Sequence, residues 1–312
     1  MPSLRVMRKR AVRPFRRFRE AVRHRWHRVK EAVRHATDGS RYHYLGPELA
    51  LTRLRHGYFL YVDPLDETVS HNLIGHGHWE EPVHRVVRGL IRPGDITVEV
   101  GANLGYYTIQ MARSVGPEGR VVSFEANPRM ASYLKRSVIF NGVSDRIDVI
   151  EKAASDTTGR LSFMLSRRFS GSGHLLVTES GIAEDQSIIE VDAIRVDDLG
   201  LDRIDFLRMD AEGSEPLILK GAEKALSNPE ITICMEWSPI QIRSRASVPE
   251  LVDWLAAQGF KFWRIEPDSS LMPLAVAQLP SLDHCDIILS RQTPRPNNRR
   301  VRVQEAESSA PR

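Results

Sequence analysis

The chain has 312 residues, 41% hydrophobic and 27% charged, which is long enough for one large domain with its own core plus appendages. It contains no apolar run of bilayer length and no continuous apolar segment at its start, so neither a spanning helix nor a cleaved secretory signal is expected. The net charge of +4 conceals basic ends: residues 1–36 hold 13 Lys/Arg against 2 acids and residues 291–312 hold 6 Arg against 2 acids, whereas residues 37–290 hold 25 Lys/Arg against 36 acids. An acidic body argues against a nucleic-acid groove, because phosphate contacts need clustered cations.

Residues 1–36 form the first predicted element. Phe15, Phe18, Val22, Trp26, Val29 and Val33 recur at spacings of three or four, with arginines on the other faces. This is the pattern of an interfacial helix that could rest on an anionic membrane surface as its partner; a tail of fluctuating helicity, a helix docked on the acidic body and a mitochondrial transit peptide share the pattern and stay open as alternatives. Residues 37–93 read as a lead-in or cap region. A hairpin is expected over 49–62, turning near His56-Gly57, and a helix over 79–91, with Glu80 and Glu81 leaning toward the site described next. His71, His76, His78 and His84 have no metal-binding spacing and are expected to be scattered surface or supporting residues; no metal site is assigned.

The next element is the most informative. Ile96–Val100 is a short β-branched run set off by Pro93-Gly94-Asp95, and it leads into Gly101-Ala102-Asn103-Leu104-Gly105 and a helix over 105–115. A strand, a glycine turn and a helix N-terminus make a ligand cradle. A second strand over 120–124 ends at Glu125, placed to accept both hydroxyls of a ribose. Dinucleotide sites favour a bare G-x-G-x-x-G for the pyrophosphate. Here Asn103 replaces the middle glycine and Glu99 puts a carboxylate in the strand end, which suits the ammonium group of S-adenosylmethionine better than a pyrophosphate. An NAD-linked oxidoreductase on a Rossmann-like fold is the alternative, and a non-catalytic surface-docking protein is a third reading.

Strands and helices alternate from 94 to 290, which implies a mainly parallel sheet. A helix over 128–140 begins with a proline, and a third strand covers 147–151. Strands over 161–165 and 187–194 read as an inserted hairpin, and its Ser/Gly-rich loop at 170–174, with His174, is placed to cover the site. The fourth parallel strand spans 204–209 and opens into a helix over 215–226. The fifth spans 230–235, a helix follows at 248–258, and strands at 260–265 and 285–289 form a C-terminal antiparallel hairpin. The tail from Arg291 is expected to be disordered. Cys234 and Cys285 lie in apolar strand-like runs, so reduced thiols and a cytoplasmic setting are expected, with peripheral membrane attachment through residues 1–36.

A second constellation follows the fourth strand. Asp210, Glu212 and Glu215 lie just past its end, and Glu236 ends the fifth. Ligands in open α/β sheets sit beyond the strand carboxyl ends, so these acids share the region of the glycine turn and Glu125. A carboxylate there can align or deprotonate a hydroxyl attacking a methyl sulfonium. Asp210, Glu212 and Glu236 are the catalytic candidates, and Glu215 reads as a first-turn helix acid.

The ordered set VEVGANLGYYT, SFEANP, RMDAEGSEPLILKGA and ICMEW resembles the FkbM-type methyltransferases over roughly residues 79–265. The resemblance implies an α/β class I (Rossmann-like) methyltransferase fold, S-adenosylmethionine as cofactor and O-methylation of a hydroxyl on a sugar, glycolipid or secondary metabolite. It places Gly101, Asn103, Gly105 and Glu125 at the cofactor, with Glu99 in place of the usual Asp, and Asp210-x-Glu212-Gly213 near the transferred methyl. Ala154, past the third strand, is added to the cofactor-binding set. Ala126 replaces the proline of F-E-P, which loosens the turn after Glu125 but keeps the acid.

Overall fold

The computed structural model describes residues 41–176 and 184–304. The chain divides into an N-terminal unit, Met1–Arg41, and a main unit, Tyr42–Arg312. The expected basic helix lies outside the described residues.

The main unit opens with a three-stranded antiparallel sheet of β1 (Tyr42–Gly46), β2 (Leu49–Arg53) and β3 (Phe59–Val62), the last two forming the expected hairpin. Helices α1 (Val69–His76) and α2 (Glu81–Leu90) lead to β4 (Ile96–Val100), α3 (Tyr106–Val115), β5 (Arg120–Phe124), α4 (Pro128–Phe140) and β6 (Ile147–Ile150). The start of α4 follows from its sequence: Asn127 accepts a hydrogen bond from the Arg129 amide and Pro128 fills the first turn. Next come β7 (Ala153–Ala154), β8 (Gly159–Ser166), β9 (His174–Leu175) and β10 (Gln186–Ile194), which form a second sheet in the order β7-β10-β8-β9. In it β8 and β10 are antiparallel, so the inserted hairpin is present.

Beyond the insertion lie β11 (Phe206–Met209), α5 (Glu215–Lys220), α6 (Glu223–Leu226), β12 (Thr232–Trp237), α7 (Pro239–Ile242), α8 (Val248–Ala257), β13 (Lys261–Ile265), β14 (Leu271–Leu274) and β15 (Cys285–Ser290). The main sheet has the order β14-β13-β15-β12-β11-β4-β5-β6. The run from β12 to β6 is parallel, and β13, β14 and β15 are antiparallel. The order reverses between β4 and β11, which places a ligand crevice at their carboxyl ends. One apolar layer, including Ile109, Leu134 and Phe206, packs α2, α3 and α4 on one face. The other, including Val98, Met209 and Leu255, packs α5, α6 and α8 on the opposite face.

Three details differ from the expectations. The helix over 215–226 is broken at Gly221, where the chain passes so close to Ser155 that a Cβ would lie 2.0 Å from its carbonyl oxygen. An extra edge strand, β14, pairs with β13 despite Pro273, as an edge position permits. Residues 291–304 are ordered: Asn297 donates to the carbonyls of Gly89 and Ile91, Val301 is buried, and Leu271 bridges to Val303. Of the histidines expected to be surface or supporting residues, His84 is a supporting one: it is 2% exposed and stacked on His56. Both cysteines are free thiols, Cys234 buried and Cys285 half-buried. Among the described residues no helix is long and apolar enough to cross a membrane.

Candidate active site

The carboxyl ends of β4, β5, β11 and β12 surround a cavity of about 320 Å³. Gly101, Asn103, Glu125, Ala154, Asp210, Glu212 and Glu236 all line it, as do Ser170 and His174 of the inserted segment. Seven of the expected site residues are therefore brought together from five separate stretches of chain.

Gly101 is required by packing. Its φ is +82° and a Cβ would lie 1.9 Å from the Asp210 carbonyl oxygen, so only glycine lets the β4 turn meet the end of β11. Asn103 is left-handed at φ +51°, a conformation asparagine tolerates. Its amide donates to Glu125 Oε2 at 2.6 Å, the Asn127 amide donates to Oε1 at 2.8 Å, and the Asn103 side chain donates to the Ser170 carbonyl at 3.1 Å. Glu125 thus ties the glycine turn to the end of β5 at the cavity wall. Burial, only partly offset by these amides, pushes its pKa up to about 7.

Two expected cofactor residues are not at the cavity wall. Glu99 is fully buried on the face of β4 that packs against α3, because side chains alternate along a strand and Val98 and Val100 take the other face. Its Oε2 accepts from Thr108 and Ser123, while Oε1 has no hydrogen-bond partner. Burial raises its pKa to about 7. Gly105 faces α4: a Cβ there would lie 2.6 Å from Leu134 Cδ1, so this glycine serves the fit between the α3 start and α4.

The acids after β11 and β12 have different surroundings. Asp210 Oδ2 accepts from the Arg208 guanidinium at 3.0 Å. Glu212, at φ +52°, accepts from Gln241 Nε2, and burial followed by the charge of Asp210 raises its pKa to about 7. Glu215 is 1% exposed and its Oε1 accepts from the Ala211 amide at 2.8 Å, closing the loop as a structural acid. Glu236 has Oε1 3.4 Å from His284 Nε2 and a buried Oε2 without a partner. Burial, then the charges of Asp210 and Glu212, drive its pKa far above the carboxylate range.

Sequence reasoning missed Arg208 altogether. It is 3% exposed, its guanidinium lies 3.8 Å from the Tyr107 ring centroid, and it sits 3.0 Å from Asp210, 3.9 Å from Glu99 and 4.0 Å from Glu80. Burial opposes its charge, but Asp210, Tyr107, Glu99 and Glu80 outweigh that and hold it protonated. Glu80, left-handed at φ +40°, accepts from Tyr107 Oη at 2.9 Å and closes the cavity from the lead-in region. Burial, then Asp210, raises its pKa.

The profile of the Methyltransferase FkbM domain matches residues 99–262, more than half of the chain. The chain belongs to the FkbM methyltransferase family. Methyltransferase sdnD of Sordaria araneosa is 23% identical over 197 residues, 54% of this chain and 74% of that protein. The 2-O-methyltransferase NoeI of Sinorhizobium fredii is 27% identical over 161 residues, 46% of this chain and 65% of that protein. Among solved structures, methyltransferase FkbM from Methylobacillus flagellatus aligns at 19% identity and a TM-score of 0.38, covering 64% of this chain and 48% of that one. As an FkbM methyltransferase the protein uses S-adenosylmethionine, and the cavity fits that group. It offers a carboxylate, Glu125, at the β5 end, an apolar wall at Ala154, and a turn at the N-terminus of α3.

Proposed function

We propose that this FkbM methyltransferase methylates a hydroxyl on a sugar, glycolipid or secondary metabolite. The observation that carries the reading is the meeting of Asp210, Glu212 and Glu236 with the glycine turn and Glu125 around one cavity. The name 2-O-methyltransferase borne by NoeI supports an oxygen acceptor.

S-adenosylmethionine supplies a methyl group already activated on a sulfonium, so the protein needs chiefly to hold, align and dehydrate the reactants. Gly101, Asn103, Glu125 and Ala154 would hold the cofactor, with Glu125 accepting from the ribose hydroxyls. Glu99, buried beneath the turn, acts by positioning the start of α3 through Thr108. Asp210, oriented by Arg208, aligns the acceptor hydroxyl. Glu212, with a pKa of about 7, is matched to taking its proton near neutral pH. Glu236, kept protonated by burial and its acidic neighbours, donates a hydrogen bond to the acceptor. Supplying methyl-labelled cofactor and a glycan panel tests this. Label in an alkali-stable ether supports it; label only in alkali-labile esters or on nitrogen overturns it.

We also propose that residues 1–36 rest on an anionic membrane surface, on the strength of the apolar stripe and basic excess. Flotation with phosphatidylserine liposomes tests this: deleting the segment should abolish association. Equal flotation of both forms would refute it.

A further inference from the structure

A second cavity, of about 600 Å³, opens between α2 and the ordered tail. Arg85 and Arg88 face it from α2, and Arg299 and Arg300 face it from the tail. Nothing in their own chemistry brings these four guanidiniums together. The tail is anchored independently of them: the Asn297 amide donates to the Gly89 carbonyl at 2.7 Å, its side chain donates to the Ile91 carbonyl at 3.0 Å, and Val301 is buried. Gly89 permits this approach, since a Cβ there would meet Val301 at 3.2 Å and Asn298 at 3.3 Å.

Little negative charge offsets the cluster. Among the described residues Glu81 is the one acid lining the cavity, and it is already engaged by Arg85 at 2.9 Å and by His56 Nε2 at 3.1 Å. Among the described residues, the guanidiniums of Arg88, Arg299 and Arg300 have no hydrogen-bond or ion-pair partner. Like charges gathered around a concavity attract an anion, and guanidinium groups match the geometry of phosphate and sulfate oxygens.

The same cavity holds His56, Glu81 and His84, whose potential ligand atoms lie within 4.8 Å of one another. Three facts argue against a cation there. The two imidazoles are stacked at 3.9 Å with 16° between their planes, so their in-plane lone pairs do not converge on one point. His56 Nε2 and both Glu81 oxygens are already paired. Four guanidiniums would repel a dication. The trio instead anchors the hairpin to α2. His84 also packs at 5.3 Å against Tyr106, a residue that lines the methyl-transfer cavity, so an aromatic wall separates the two cavities.

We infer that this second cavity is a binding site for a phosphate or sulfate group, distinct from the methyl-transfer site.

The full-length protein should be titrated calorimetrically with inorganic phosphate, inorganic sulfate and glycerol 3-phosphate, in chloride buffers of matched ionic strength. Binding is expected near a Kd of about 1 mM. Tighter binding of glycerol 3-phosphate than of inorganic phosphate would mark an organic phosphate as the ligand, and equal binding would mark the free anion. Arg88→Gln and Arg299→Gln should each weaken binding about tenfold through loss of a charge-assisted bond. Arg136→Gln, on the exposed side of α4, should change it less than about twofold. Unchanged melting temperatures establish that the variants are folded, and Arg299 serves as the second probe if Arg88→Gln is not. No heat up to about 20 mM phosphate would overturn the inference. So would equal weakening by Arg136→Gln, or stoichiometric zinc binding abolished by His84→Ala.

Discussion

Replacing Arg208 with Met should damage both stability and catalysis. The guanidinium sits 3.0 Å from Asp210, 3.9 Å from Glu99 and 4.0 Å from Glu80. At an effective dielectric of about 20, a unit pair at 3 Å is worth roughly 5 kcal/mol and one at 4 Å about 4 kcal/mol, before the cost of burying the charges. After that cost, removing one partner of such a buried cluster destabilises by about 3–5 kcal/mol. For a unit of this size each kcal/mol lowers Tm by roughly 2–4 °C, so the variant should melt about 10 °C lower at pH 8. The loss should shrink toward pH 5.5. Glu99 and Glu80 already have raised folded pKa values, and without the cation they rise further, so the folded variant binds more protons than the unfolded chain and regains stability as pH falls. Thermal melts of both proteins at the two pH values, with kcat measured at the higher one, give the answer. A Tm within about 2 °C of the unmodified protein at pH 8, or a loss that grows in acid, would refute the reasoning.

Two further predictions concern acids near the cavity. The unmodified enzyme is expected to gain rate as pH passes through about 7; Glu212→Gln should lower kcat by about 10²–10³ and remove that rise, with S-adenosylhomocysteine affinity kept; a retained pH limb would move the base elsewhere. Glu215→Gln keeps the acceptor for the Ala211 amide and removes a buried charge. Burial raises the Glu215 pKa from 4.5 to about 7, so this group's contribution is fully present below pH 4.5 and falls by about 3 kcal/mol as pH rises through 7. Chemical denaturation should show the variant more stable than the parent at pH 8 and similar at pH 4.5, and the opposite order would contradict the assignment.

Much of the main sheet was legible because its strands are short β-branched runs punctuated by glycine, proline and acids, and their order follows from alternation with helices. The expected bounds of β4, β5 and α4 coincide with the observed elements. Glu125, Asp210 and Glu236 could be placed at one cavity because strand ends in such a sheet face one crevice. The missed features depend on contacts distant in sequence. Arg208 reads as an interruption in an apolar run, and its role appears only when β11 pairs with β4 and sets it beside Glu99. The direction of Glu99 depends on which face α3 covers. Gly105 answers to Leu134, 29 positions away in the numbering. The tail has the composition of a disordered segment, yet Asn297 and Val301 find partners on α2 and in the core that no local pattern announces.

The most direct test of the account is calorimetric titration of S-adenosylhomocysteine into the unmodified enzyme, Glu125→Ala and Asp210→Ala. Micromolar binding that is lost in Glu125→Ala and kept in Asp210→Ala, together with methyl transfer lost in both, is the predicted result. Binding that survives Glu125→Ala unchanged, or that is absent from the unmodified enzyme, would contradict the assignment of this cavity.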